Sequence, residues 1–170
     1  MSSLSNRMWL GELYYSIGKQ RCSFKIAKGL MIDGKPVFRK WVFFLDATEE
    51  QISKATHRSI LVNEIVLDFD LKKNETIDEL KNRFNIALKE LLVNNVKYKA
   101  YFTGSKGYHI HIFYDKLFSL SEPDRRKFRL NLINKYGCDV LKASEKTMIA
   151  LETAKHWKTG KKMLEVKYCV

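Results

Sequence analysis

The hydrophobic pattern is clearest from Leu61 onward. LVNEIVLDFD (61–70) is an apolar, β-branched-rich run that closes on two alternating carboxylates, and it predicts a central strand. Thr76-Ile-Asp-Glu79 has capping-box spacing and opens a helix. Its apolar positions Ile77, Leu80, Phe84, Leu88 and Leu91 hold to one face until Asn94-Asn95. Residues 96–103 and 108–114 read as a strand pair joined by a glycine turn. Ser121 and Pro123 start another helix, with Phe128, Leu132 and Tyr136 along one face. A short helix over 146–152 and a last strand over 162–168 follow. Ahead of Leu61 the pattern is weaker. It predicts a helix over 5–16 and strands over 22–45 around the turn Asp33-Gly34-Lys35. A helix from Asp46 through about Thr56 is then capped by Asp46 and Glu49.

From Leu61 the order is β-α-β-β-α and then a strand, the split βαβ plan. The expected fold class is α+β: an RRM/ferredoxin-like palm of βαββαβ type with an N-terminal αβ extension. One domain spans 1–170, with 1–60 as the N-terminal α/β part and 61–170 as the RRM-like part. In this plan the first and third strands are antiparallel neighbours. Two motifs about forty residues apart, Asp68/Asp70 and His109/His111, are thereby brought together.

Charge sharpens the picture. The net charge is +12, and it is uneven: 10 Lys/Arg against 5 Asp/Glu over 1–60, 8 against 8 over 61–115, and 13 against 6 over 116–170. Acids gather where the motifs lie and the flanks are basic, which favours a polyanionic partner, nucleic acid before anionic membrane. A lysine-rich solvated surface is the bland alternative. Cys22, Cys138 and Cys169 are scattered with no CxxC spacing, so neither a zinc knuckle nor a disulfide framework is expected, and an intracellular location fits. No apolar run is long enough for a signal peptide core or a membrane span.

Asp68 and Asp70 stand two apart on a strand, so their side chains share a face with Cα atoms roughly 6.6 Å apart, close enough to converge on one or two metals. Like charges so placed repel unless a cation neutralises them. A strand end meeting water is the alternative. Thr103-Gly104-Ser105-Lys106-Gly107 can offer backbone N–H groups, hydroxyls and a point charge to phosphate oxygens, or be an ordinary hairpin turn. His109 and His111 share one face as core residues, metal ligands or phosphate donors. The basic cluster Arg125-Arg126-Lys127 at a helix start opposes the helix dipole, and template contact is the expected compensation.

These motifs together resemble the archaeo-eukaryotic primase superfamily, the catalytic small subunit of DNA primase and its primer-polymerase relatives. Asp68 and Asp70 match the family's hhhDhD, and TGSKGYH matches SGxxGxH, ending at His109 with Thr103 in place of serine. Cys138-Asp139, then MIAL, then Lys155-His156-Trp157-Lys158-Thr159-Gly160 match the third motif, with its SxHxKTG-like signature. RCSFKI and VFRKWVFF loosely resemble the arginine-containing N-terminal strands, pointing to Arg21 and Arg39. Cys22 stands where the family has glutamate, the usual basic residue and proline are absent from MIALETAKH, and no zinc-binding insertion is present. The resemblance is motif-specific from 64 to 160 and covers the rest in outline.

What it implies is a primase small-subunit-like enzyme, a template-dependent nucleotidyltransferase making or extending primers on single-stranded DNA from NTP or dNTP. Asp68, Asp70 and Asp139 would hold two Mg²⁺ or Mn²⁺ ions, with no zinc. Thr103, Ser105, Lys106, His109, His156 and Lys158 would grip the triphosphate, with Arg39 a further candidate. A large primase subunit or a helicase would be the protein partner. Two rivals stand beside it. His109-Ile110-His111 also reads as the metal-binding pair of rolling-circle replication endonucleases, with Tyr136 as nucleophile. The topology also suits an RRM-like RNA-binding module, although acids on its binding face would repel RNA.

Overall fold

The computed structural model describes residues 5–16, 23–33, 35–38, 42–155 and 159–167. The apolar run after Leu61 becomes β5 (Glu64–Phe69), buried at every position. It pairs antiparallel with β7 (Tyr108–Phe113), which pairs with β6 (Tyr98–Phe102), which pairs with β9 (Leu164–Val166). One face of this four-stranded sheet carries Ile65, Leu67, Phe69, Ile110 and Ile112. It is covered by α3 (Ile77–Val93) and α4 (Glu122–Tyr136). Helix α3 starts at Thr76, whose hydroxyl accepts from Glu79 N while the Glu79 side chain accepts from Thr76 N, the expected capping box. It buries Leu80, Phe84, Ala87, Leu88 and Leu91, each worth about 1.5–3 kcal/mol for the larger side chains. Ile77, at the first position of the helix, is exposed. Phe84 stacks on Tyr108 at 4.2 Å and meets Phe69 edge-on at 5.7 Å. Both partners alternate with residues of the opposite face, so this packing holds that face from behind.

The second, five-stranded sheet has β1 (Ser23–Ile32) at its centre. β2 (Lys35–Phe38) and β3 (Val42–Phe43) pair with β1, and β4 (Ala55–Ser59) joins it to β8 (Met148–Ala150). Ile32 pairs with Lys35 at the expected turn, with Asp33 at φ 50°, while Gly34 lies outside the described residues. Helix α1 (Asn6–Ser16) and the short α2 (Glu49–Ser53) pack Leu10, Leu13 and Ile52 with Leu61 and Leu151 into a second core.

Several expectations are corrected. The helix over 46–56 shrinks to α2. Its capping box is Thr48 with Gln51 rather than Asp46 with Glu49, since Phe44–Asp46 is already a 3-10 turn. The chain from Ala55 extends as β4, which pairs with β1 on one side and β8 on the other and buries Ala55 and Arg58. The expected helix over 146–152 is strand β8, whose Ile149 is buried while its neighbours are half-buried. The closing strand β9 lies outside β6, whereas a strict βαββαβ plan places it beside β5. That side of β5 is instead met by Asp139, whose N–H donates to Asp68 O at 3.1 Å. On α4 the fully buried face includes Arg129 and Ile133 with Tyr136, while Phe128 and Leu132 are half-buried. Arg125 is not free for template: its guanidinium pairs with Glu145 and donates to Leu120 O at 2.6 Å. Among the described residues no helix is long and apolar enough to cross a membrane.

Candidate active site

Strand alternation puts Glu64, Val66 and Asp68 of β5 on the sheet face opposite the helices. The β5–β7 register sets Asp68 against His109 and Val66 against His111. Asp70 follows the end of β5. Asp139 arrives from the other direction: α4 stops at Gly137, in the left-handed region at φ 67°, and the chain turns back along β5. The Asp139 carboxylate accepts from Leu141 N at 3.0 Å and caps the 3-10 turn Val140–Ala143. Asp68, Asp70 and Asp139 each bring a carboxylate oxygen within 4.8 Å of the others.

Arg83 of α3 ties these two chain segments together. Its guanidinium donates to Asp70 O at 3.0 Å and to Tyr136 O and Gly137 O at 3.1 Å, while Glu75 holds it at 2.7 Å. The glycine turn is drawn against the same place. Thr103 N and Thr103 Oγ1 both donate to Gly107 O, at 3.0 and 3.1 Å. A Cβ on Gly107 would lie 2.8 Å from Phe69 O, so only glycine lets the turn sit against the end of β5. Thr159 Oγ1 donates to Gly104 O at 3.1 Å, docking the end of the third motif on the turn.

The result is a cleft of about 410 Å³ between the two sheets. Asp68, Asp70, His109 and Lys142 line one side, Thr103, Ser105 and Lys106 another, and Thr56, His57 and Ile149 of the second sheet face them. Lys155 borders it as well. Of the residues expected to grip a triphosphate, Thr103, Ser105, Lys106 and His109 are thus brought to the acids. Ser105 and Lys106 are exposed there, and the Thr103 hydroxyl is engaged in closing the turn. Arg39, His156 and Lys158 lie outside the described residues, as do Arg21 and Cys22.

Electrostatics separates the three acids. Burial alone would push the Asp68 carboxyl up, but His109 and Lys142 outweigh it and hold Asp68 below the usual carboxylate value. His109 Nε2 stands 3.2 Å from Asp68 Oδ1, yet that oxygen has no hydrogen bond of good geometry although Asp68 is only 7% exposed. Buried polar atoms are rarely left so, and an oxygen-only set with one orphaned member fits a hard divalent cation. Asp70 is shifted the other way, first by partial burial and then by the charges of Asp68 and Asp139.

Along the same face runs a buried ionic network that the sequence reading missed. Arg58 of β4 is 1% exposed, and its Nη1 and Nη2 donate to Glu64 at 2.8 and 2.7 Å. Its Nε donates to Glu152 at 2.9 Å. His111 Nδ1 lies 2.9 Å from Glu64 Oε2, so the second histidine belongs to this network rather than to the three acids. Arg129 holds Glu64 O, Leu61 O and Val62 O from the helix side. In sequence, Thr-His-Arg-Ser looks like an exposed polar stretch. Lys142 had a usable signal, three residues after Asp139; Arg83 and His57 had none.

No family model matches the chain, and no curated protein matches it in sequence. Among solved structures, the polymerase domain from Mycobacterium tuberculosis Ligase D, in complex with DNA, is similar in fold. The TM-score is 0.60 over 89% of this chain and 79% of that chain, at 11% identity. The mixed α+β architecture expected from the sequence is therefore the one the chain adopts, and it is similar in fold to that neighbour.

Proposed function

We propose that the protein is a template-dependent nucleotidyltransferase that makes or extends primers on single-stranded DNA from NTP or dNTP. One observation carries this reading. Three carboxylates from two distant segments converge, two of them lining a cleft beside a glycine turn, and a buried Asp68 oxygen has no hydrogen bond of good geometry. Bound at these acids, Mg²⁺ or Mn²⁺ ions would supply Lewis-acid activation of an attacking hydroxyl and neutralise charge on the departing pyrophosphate. Asp68 and Asp139 offer their oxygens from the protein side, and Asp70 from the open side of the cleft. Lys106 supplies a point charge to the phosphates and Ser105 a hydroxyl. His109, packed against Asp68, offers a directional donor to the same region. His156, Lys158 and Arg39 are assigned to the triphosphate on the primase resemblance. Lys155 and Thr159, which flank the first two, border the cleft and the turn. The basic flanks supply a field that favours a DNA template.

The rolling-circle endonuclease alternative loses its support at Tyr136. That tyrosine packs in the helix-side core, and its hydroxyl bonds Glu90 of α3 on the far side of the sheet from His109. The test is incubation with single-stranded template, labelled nucleotides and Mg²⁺ or Mn²⁺, with products resolved by length. Template-directed products are expected from the wild type and none from Asp68→Ala with Asp70→Ala. Retained synthesis in the double variant would sink the assignment.

A further inference from the structure

Lys142 lies inside the acidic centre. Its ammonium is 3.6 Å from Asp68 Oδ2 and 3.7 Å from Asp139 Oδ2, and its side chain is only 15% exposed. Both distances exceed a hydrogen bond, so the ammonium is shared between two carboxylates without closing on either. The 3-10 turn that Asp139 caps sets this geometry, bringing the residue three positions later back over the acids. A surface pair of this spacing would contribute little. Here the lysine is largely buried and faces a second acid from β5, among three carboxylates within 4.8 Å that would otherwise repel. Mg²⁺ binds carboxylate oxygens at about 2.0–2.1 Å, far closer than this ammonium sits.

We propose that Lys142 is an internal counter-ion, seated among Asp68 and Asp139 when no divalent cation is bound and displaced when one enters. This residue therefore sets the metal concentration at which the centre fills. The inference rests on the metal reading of the three acids and adds a competitor to it. The ammonium neutralises part of the charge in the metal-free protein, and a divalent ion must expel it. Removing the competing charge should tighten metal binding, whereas a lysine serving only as a structural strut would loosen it.

The experiment is a calorimetric titration of Mn²⁺ into wild type, Lys142→Met and Lys142→Arg, with no nucleotide or DNA, alongside thermal melts with and without the ion. Lys142→Met is expected to bind Mn²⁺ about 10-fold tighter, a change of about 1.4 kcal/mol, while Lys142→Arg stays within about threefold. Without metal the Met variant should melt below wild type, and Mn²⁺ should raise its midpoint by more than it raises the wild type's. Lys142→Gln replaces the Met variant if that fails to fold. Loss of fold in both would make the lysine a strut and overturn the inference. Mn²⁺ affinity that is unchanged or weaker in the variant overturns it while leaving the metal centre intact. No Mn²⁺ binding by any of the proteins, wild type included, overturns the metal centre and the inference together.

Discussion

At Asp70 the fold holds a carboxyl against its preference for ionisation, by partial burial and by the charges of Asp68 and Asp139. A carboxyl whose value is raised in the folded state binds its proton more tightly there than in the unfolded chain. Its ionisation therefore lowers stability as pH rises through that interval. Asp70→Asn should melt above wild type at pH 7 without metal, and the gap should close as pH falls below the ordinary value of 3.8, where both side chains are neutral. Mn²⁺ should raise the wild type's midpoint more than the variant's, and the variant should lose nucleotide incorporation. A variant no more stable than wild type at pH 7 would mean that the repulsion is already relieved. Gly107 tests the turn in the opposite sense. Alanine there puts a Cβ 2.8 Å from Phe69 O, a backbone atom that cannot rotate away. The expected cost is about 1–3 kcal/mol, with the turn displaced from the acids. Circular dichroism melts and nucleotide affinity read the two effects separately. An Ala variant with wild-type values for both would mean the close approach is dispensable.

The elements show why part of this was legible and part was not. β5 and β7 were readable because alternation is local: once both are strands, Asp68, His109 and the helix-side Phe69 and Tyr108 have their faces assigned. Helix α3 was readable from its capping box and its apolar stripe. β4 and β8 were not, because a five-residue and a three-residue strand leave little alternation to detect. Arg58 adds to this, since a buried arginine looks like an exposed one until its partners are known. Those partners are Glu64 on β5 and Glu152 beyond β8, so one guanidinium joins the two sheets that bound the cleft. Glu64 is fully buried, which alone would raise its carboxyl. Arg58 and His111 outweigh that and hold it far below the usual 4.5. A depressed value means this stabilisation is complete above about pH 4.5 and is lost as pH falls toward strongly acid conditions. Glu64→Gln leaves Arg58 short of a charge partner in the interior and should cost about 3–5 kcal/mol at pH 7. The cost should shrink as the wild type is acidified. A pH series of denaturant melts checks this. A constant difference between pH 7 and pH 3 would remove Glu64 from the acid response.

For the whole molecule, the question is where the +12 net charge meets a polyanion. Of the helix-start cluster expected from sequence to meet template, Arg125 is committed to Glu145 and the Leu120 carbonyl, where it braces α4, while Arg126 and Lys127 are exposed. The cleft offers a second candidate location. Lys106 and Lys155 border it and are exposed, and Lys161 packs beside the turn at Gly104. Template phosphates threading past Asp68, Asp70 and Asp139 would need such cations, because the acids themselves repel DNA. Single-stranded binding should weaken with salt at a slope of about −0.7 per phosphate neutralised. Lys106→Ala with Lys155→Ala should therefore make the slope shallower by about 1.4 if each lysine meets one phosphate. Arg125→Ala should leave the slope alone and lower the melting temperature instead, since it breaks a partly buried ion pair. The measurement is a fluorescence-anisotropy titration of labelled single-stranded DNA at four or five salt concentrations for wild type and both variants, with melts alongside. An unchanged slope in the lysine double variant would mean that DNA does not follow the cleft. A shallower slope in Arg125→Ala would return the template path to the start of α4.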